Sequence, residues 1–294
     1  MMSRAPVTRD EVIRRSRLMP SFPGIVNEIL ATLDDPGANL NALVRCINLD
    51  PVITARVLSV ANMAATRGRR DAQVSNIYTA TSLIGMGKVR SIALISSLGN
   101  FMQSTALPPL PSAFWEHSVA ISVCAEELAN HVSVPVNADA ALIAGLLHDI
   151  GQLWLHALDA QATRDCWQQS TTGQQDIVAL EQQVFGVDHA TIGAWLAEHW
   201  QLSPSITTAI QHHHNPDAAL AQPLVALVHV AEVLGNALDL GHRARNRVTY
   251  ISSAACEQLE LVWDDSIRPL FGRIEARSRH ANQFFSPAER SAAP

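Results

Sequence analysis

The chain's chemistry concentrates in seven histidine and carboxylate positions spread between residues 117 and 232. His148 and Asp149 stand side by side at the end of an apolar run that begins near Ala140. Two adjacent ionisable side chains in apolar surroundings need a partner, because unpaired charge is costly there. His117 lies upstream; His189, the pair His213-His214 and Glu232 lie downstream. Imidazole and carboxylate groups converging from several elements can hold a divalent ion and leave positions open for water or substrate. The chemistry this order suits is metal-assisted hydrolysis of a phosphate ester. His117, His148, Asp149 and Glu232 would hold one ion, and His189, His213 and His214 a second, with Asp149 able to bridge. An imidazole-rich set fits iron, manganese, nickel or zinc better than magnesium or calcium. Three histidines at a helix end also fit simple C-terminal capping. His131, His156, His199, His229, His242 and His280 read as ordinary structural histidines, and Trp115, Trp154, Trp195 and Trp200 as core or groove walls.

Helices must position these groups. Alternating β-branched runs joined by Asn-Gly or Asp-Gly turns are absent, while helical periodicity recurs throughout. Ile25 to Leu33 is expected to be helical and stopped by Asp35-Pro36-Gly37. Asn39 would cap a helix through Ile47, and Asp50-Pro51 would open another running to Asn62, with proline at its first position. Gly85-Met86-Gly87 separates helices over Ile77–Ile84 and Val89–Leu98. The run Leu107-Pro108-Pro109-Leu110-Pro111 cannot be helical and marks an internal boundary. Beyond it, Phe114–Ala129 carries His117. Asn137 or Asp139 caps Ala140–Leu155, which carries His148 and Asp149. Asp188 caps His189–Trp200. Ser203-Pro204 opens a helix ending at the histidine triplet. Pro223 opens a helix to Leu240, stopped by Gly241 and carrying Glu232. One or two helices follow over Asn246–Phe271, before a frayed tail from Ser286.

Composition bounds the rest. The 294 residues are 48% hydrophobic and 16% charged, enough for a substantial core. The net charge of −6 gives no basic footprint for nucleic acid. Arg14, Arg15 and Arg17, and Arg67, Arg69 and Arg70, read as solvated surface. The scattered cysteines Cys46, Cys124, Cys166 and Cys256 fit buried thiols in a reducing compartment. No secretory h-region and no uncharged apolar run near the roughly 20 residues of a membrane span are expected. The expected location is cytoplasmic.

The residues resemble the HDOD family, bacterial signalling relatives of the HD-domain phosphohydrolases, over roughly Leu18–Glu232. In the first half the resemblance rests on Leu18-Met19-Pro20-Ser21-Phe22-Pro23, on Ile47-Asn48-Leu49-Asp50-Pro51 followed by Arg56 to Asn62, and on Ala80 with Leu83-Ile84-Gly85. In the second it rests on Trp115-Glu116-His117-Ser118, Gly145 to Gly151, Asp188-His189 with Gly193, and Ile210 to His214. It implies an all-α fold: a helical bundle of two lobes, the second an HD-like core. The expected organisation is an N-terminal extension over 1–17, a helical lobe over 18–106, the HD-like lobe over 107–241, and C-terminal helices and tail over 242–294. The metal positions it carries over are His117, His148, Asp149, His189, His213 and His214. The related HD-GYP enzymes, which hydrolyse cyclic-di-GMP, have an aspartate where Glu232 stands, a lysine where Gln152 stands, and a Gly-Tyr-Pro loop where the chain reads Asn215-Pro216-Asp217-Ala218. Gln152 is therefore the candidate substrate contact. The resemblance implies an output or scaffold role through signalling-protein partners, with one or two transition-metal ions at a vestigial or regulatory site. The alternatives are a metal-dependent phosphohydrolase on an unidentified phosphate ester or nucleotide, and a sensor that binds a ligand without turnover. No membrane partner is expected, and an oligomer is compatible with the sequence.

Overall fold

The computed structural model describes residues 5–16, 23–31, 40–67, 74–103, 112–172, 175–240 and 250–283. Among these residues there are helices and no strand, so the fold is all-α. The chain divides into two compact units, one spanning Pro20–Thr105 and the other joining Met1–Met19 to Ala106–Pro294. The proline run Leu107–Pro111, the Asp35-Pro36-Gly37 stop, Asn39, Arg17, Arg69, Arg70, Gly241, His242 and the tail from Ser286 lie outside the described residues.

The first helix, α1 (Arg9–Ser16), belongs to the larger unit. The smaller unit contains α2 (Gly24–Ala31), α3 (Leu40–Asn48), α4 (Pro51–Arg67), α5 (Ile77–Ile84) and α6 (Met86–Gln103). Asp50 starts α4 as its sequence implies: one carboxylate oxygen accepts from Val52 N at 2.8 Å and Ile53 N at 3.1 Å. Ile53, Val57, Val60 and Ala61 form its buried stripe. The helix continues past Asn62, whose side-chain amide pins the segment ahead of α5 by bonding both Val74 N and Val74 O. The break between α5 and α6 is one residue, Gly85, in a left-handed conformation (φ +86°) that favours glycine.

The larger unit continues with α7 (Ser112–Ala129), α8 (Ala138–Leu147), α9 (Ile150–Leu158), α10 (Ala160–Thr172), α11 (Ile177–Phe185), α12 (His189–His199), α13 (Pro204–His212), α14 (Pro223–Ala237), α15 (Ser253–Gln258) and α16 (Arg268–Gln283). Its centre is α8, buried on every side from Ala141 to Leu147, as befits a helix apolar all round. It packs on α7, α13 and α14, while α12 packs on α9 and α13. The stretch Ala138–Leu158 is long and apolar enough to cross a membrane, which the sequence alone did not suggest, but 89% of its apolar window is buried inside the protein. Asn137 caps α8, accepting from Ala140 N at 2.9 Å; Asp139 sits inside the first turn instead.

Two expectations need correction, and one stretch between them carried no expectation. The single helix over Ala140–Leu155 is two, because Asp149 takes φ −96° and ψ 11° and Gln152 N reaches back only three residues, to Asp149 O, at 2.9 Å. The segment between Leu155 and Asp188 holds α10 and α11, which no histidine had marked. The stretch expected to hold one or two helices contains, among its described residues, one short α-helix, Ser253–Gln258, while the last long helix begins at Arg268, near its end, with Leu270, Ile274 and Ser278 buried along one face. The cysteines divide evenly: Cys124 and Cys166 are buried, Cys46 and Cys256 half-buried, and all four are free thiols.

Such a polar helix needs more than an apolar stripe to hold it, and α16 is tied to α7 by charge. Arg277 donates to Glu127 and Glu126, both at 2.5 Å, and Arg273 donates to Glu127 at 2.9 Å. Burial pushes the Glu127 carboxyl up, but the bonds from Arg277 and Arg273 outweigh it and hold the group below the usual carboxylate range. A depressed carboxylate stabilises the fold above its unfolded pKa, and that contribution fades as pH falls through the lower folded value. Arg277→Ala is therefore expected to destabilise the protein by about 2 kcal/mol at neutral pH. That is less than the roughly 3–5 kcal/mol of a fully buried pair, because Arg277 keeps 30% of its side chain exposed. Urea titrations of parent and variant should converge in acid; a difference that does not shrink there would assign the loss to packing.

Candidate metal centre

The seven candidate ligands enter the same region from five segments. His117 lies on α7, His148 and Asp149 on the junction of α8 and α9, His189 at the start of α12, His213 and His214 at the end of α13, and Glu232 on α14. All are buried except His214 and Glu232, which are half-buried. Ligand atoms of Asp149, His189, His213 and His214 lie within 4.8 Å of one another, and those of His117, His148 and Glu232 do likewise.

Asp149 faces both groups. Its Oδ1 lies 3.2 Å from His189 Nε2 and 3.9 Å from His213 Nε2, while its Oδ2 lies 3.5 Å from His148 Nε2 and 3.9 Å from His117 Nε2. The kink at Asp149 is what points the carboxylate between the two sets. On the far side His214 Nδ1 stands 3.9 Å from Glu232 Oε2.

Local hydrogen bonds fix which nitrogen carries a proton in His148 and His213. His148 Nδ1 bonds the Gly145 carbonyl at 2.8 Å, and His213 Nδ1 bonds the Ile210 carbonyl at 2.7 Å. A carbonyl oxygen only accepts, so Nδ1 holds the hydrogen and Nε2 keeps a lone pair. Both carbonyls belong to the last turn of a helix, where intrahelical donors are lacking. Capping and ligation are thus compatible in one imidazole: Nδ1 closes the helix and Nε2 faces the centre.

His189 is held differently. Its Nδ1 lies 2.6 Å from Glu181 Oε2, and the same oxygen accepts the His189 backbone N–H at 2.8 Å. Its Nε2 then stands 3.0 Å from His214 Nε2 and 3.4 Å from His213 Nε2. Burial would lower the His189 pKa, but Glu181 and Asp149 outweigh it and hold the ring well above the usual histidine range. Burial and the neighbouring His214 push His213 well below that range; burial and the neighbouring His189 push His214 down to about 3. His213 and His214 are therefore neutral donors at physiological pH.

These residues fit a bound cation. Donor atoms 3.0–3.9 Å apart match ligands on one ion, since perpendicular bonds of about 2.1 Å place their ends about 3.0 Å apart. His148 Nε2 is fully buried and makes no hydrogen bond among the described residues. Facing lone pairs with no proton between them are costly unless a positive charge joins them.

Beside this cluster lies a cavity of about 290 Å³, lined by Phe114, Asp149, Gln152, Trp167, His214 and Glu232 among others. Gln152 donates to Asp149 Oδ1 at 3.1 Å and accepts from Trp167 Nε1 at 2.9 Å. Its amide is therefore engaged at both ends by the protein. Trp167 stacks on His156, with centroids 5.6 Å apart.

The HDOD domain profile matches residues 19–216. The chain belongs to the HDOD family. This HDOD protein is similar in fold to an HDOD domain protein of unknown function from Geobacter sulfurreducens, with a TM-score of 0.73, 20% identity, and 95% of this chain and 97% of that one covered. It is also similar in fold to a candidate phosphohydrolase from Shewanella amazonensis SB2B, with a TM-score of 0.63, 21% identity, and 91% and 97% covered. An uncharacterized protein of Treponema pallidum (strain Nichols) is 23% identical over 223 residues, or 75% of this chain; the chain spans 43% of that protein's length.

Two other residues complete the HDOD protein's centre. His229, expected to be structural, is: its Nδ1 donates to His213 O at 2.8 Å and its Nε2 accepts from Ser252 N at 3.1 Å. Glu181 was not anticipated. The signal was present, because Ile177, Leu180, Glu181 and Phe185 share one helical face, and a carboxylate on an apolar stripe calls for a buried partner.

Proposed function

We propose that this chain is a metal-dependent phosphohydrolase of bacterial signal transduction, acting on a phosphate ester or nucleotide. One observation carries the reading: seven donors from five separate segments face one another, with Nε2 of His148 and His213 left unprotonated by the bonds their Nδ1 atoms make. His117, His148 and Glu232 would hold one divalent transition metal, and Asp149, His189, His213 and His214 a second. Such ions supply Lewis acidity toward a phosphoryl oxygen and make water a better acid. The chain's own groups do the rest. Gln152 keeps the Asp149 carboxylate in register by donating to Oδ1, and Trp167 keeps the Gln152 amide in that orientation. Phe114 and Trp167 offer the organic part of a substrate an apolar wall beside the reacting centre. The glutamine at 152 and the sequence Asn215-Pro216-Asp217 after the histidines argue against cyclic-di-GMP as the substrate.

A second reading, a partner-binding output protein with a regulatory metal site, draws support from Gln152 itself. Its amide is spent on Asp149 and Trp167, and no lysine or arginine is found among the described lining residues to meet a phosphate. Metal content by mass spectrometry, on untagged protein purified without chelators and beside a His148→Ala/Asp149→Ala variant, comes first. The expected result is up to two equivalents of transition metal in the parent and less in the variant. Release of p-nitrophenol from p-nitrophenyl or bis(p-nitrophenyl) phosphate should then depend on that metal. Metal-loaded protein inert toward both esters and toward nucleotides would favour the output role; a folded, metal-free parent would sink both readings.

A further inference from the structure

We propose that Glu181 is a positioning residue that sets the donor strength and tautomer of His189, and through it the affinity of one half of the centre; this rests on the metal-centre reading above. Glu181 is fully buried on α11, eight residues before the histidine it serves. One oxygen, Oε2, takes both N–H groups of His189: the ring Nδ1 at 2.6 Å and the backbone amide at 2.8 Å. The backbone bond fixes where Oε2 sits, and the ring bond to that same oxygen opposes rotation about χ1 or χ2, so the ring plane is set. Because the carboxylate accepts at Nδ1, Nε2 is the atom left to face Asp149 Oδ1 at 3.2 Å and the rings of His213 and His214. A full negative charge behind the ring makes Nε2 a stronger donor than a carbonyl behind it would. His148 and His213 have only carbonyls behind them. The two halves of the centre therefore differ by design: the half containing His189 is the one charge-tuned by Glu181.

The competing role is structural, since the backbone contact also satisfies an amide at the start of α12. Asp188 already caps that helix, accepting from Thr191 N at 2.8 Å. Two variants separate the roles. Glu181→Gln keeps an oxygen for both N–H groups and removes the charge. Asp188→Ala removes the cap and leaves Glu181 in place.

The experiment is calorimetric titration of chelator-treated full-length protein with Co²⁺, with visible absorption recorded in parallel. The parent is expected to bind two ions. In Glu181→Gln the Kd of one ion should rise about 10- to 100-fold with a shifted absorption band, and that of the other should stay within about twofold. Asp188→Ala should lower the thermal midpoint while leaving both affinities near the parent's. A folded Glu181→Gln protein with both affinities unchanged overturns the proposal and leaves Glu181 a cap. Should that variant not fold, nitrogen-resolved NMR of the Zn²⁺-loaded parent decides: a proton on His189 Nδ1 supports the proposal and one on Nε2 overturns it. A parent that binds no Co²⁺ or Zn²⁺ overturns the metal-centre reading itself, and this inference with it.

Discussion

Asp149→Asn is expected to remove both metal ions at once, whereas His117→Ala should remove only one. The asymmetry follows from geometry. Asp149 directs Oδ1 toward His189 and His213 and Oδ2 toward His148 and His117, so its two oxygens divide between the two sets of donors. Asparagine has the same shape and can still accept from Gln152 Nε2, which keeps the fold; it lacks the charge and offers an amide nitrogen where one oxygen stood. Losing a group behind a ligand already costs about 10- to 100-fold in affinity or activity, so losing the shared ligand should cost more than about 100-fold in metal-dependent turnover. Metal equivalents by mass spectrometry, with circular dichroism as the check on folding, read the result. A variant that retains one full equivalent would show that Asp149 serves a single ion; one that retains both would make it a bystander.

The order of the ligands was legible because they fall on five helical segments and each helix announces itself locally. Asp50, Asn137 and Asp188 start helices through their side chains as their types imply. What the sequence could not convey was how ring nitrogens divide their labour. Three histidines after Ile210 read equally well as caps or as ligands, and His213 is both, because an imidazole has two nitrogens with opposite roles. The pairing of His148 with Gly145 O repeats the device three residues into a different helix end. The kink at Asp149 was invisible for a related reason: apolar periodicity runs unbroken through Ile150, Leu153 and Trp154, and only the backbone at Asp149 departs from the helix. Glu181 was missed because its segment carries no histidine, although its place on an apolar stripe is a physical anomaly that could have flagged it. The same carboxylate explains why His189, as fully buried as His213, can hold charge where its neighbour cannot.

Gly151→Ala is expected to be the most damaging small substitution in the protein. A Cβ at this position would lie 2.0 Å from His189 O, 2.7 Å from His189 C and 2.9 Å from His189 Cα. These are backbone atoms, so no rotamer relieves the clash; α9 and α12 would have to separate. Overpacking a core costs about 1–3 kcal/mol and occasionally more, and a rigid contact this short belongs at or above the upper end. At roughly 2–4 °C per kcal/mol for a domain of this size, the thermal midpoint should fall by about 10 °C. Gly272→Ala is the matching control: it lies within α16, a Cβ there meets nothing within 4 Å, and the change should stabilise by about 0.5–1 kcal/mol. The site should suffer with the fold, because Gly151 is two residues from Asp149 and its clash is with the residue that supplies the His189 ring. Calorimetric midpoints and Co²⁺ titrations on the same samples test both consequences. If Gly151→Ala keeps the parent's midpoint and both affinities, the close crossing of α9 over the start of α12 is not what holds Asp149 and His189 together. If both fall, the glycine that ends the His-Asp-Ile-Gly run is required for a steric reason: it lets the helix bearing one ligand approach the backbone of another.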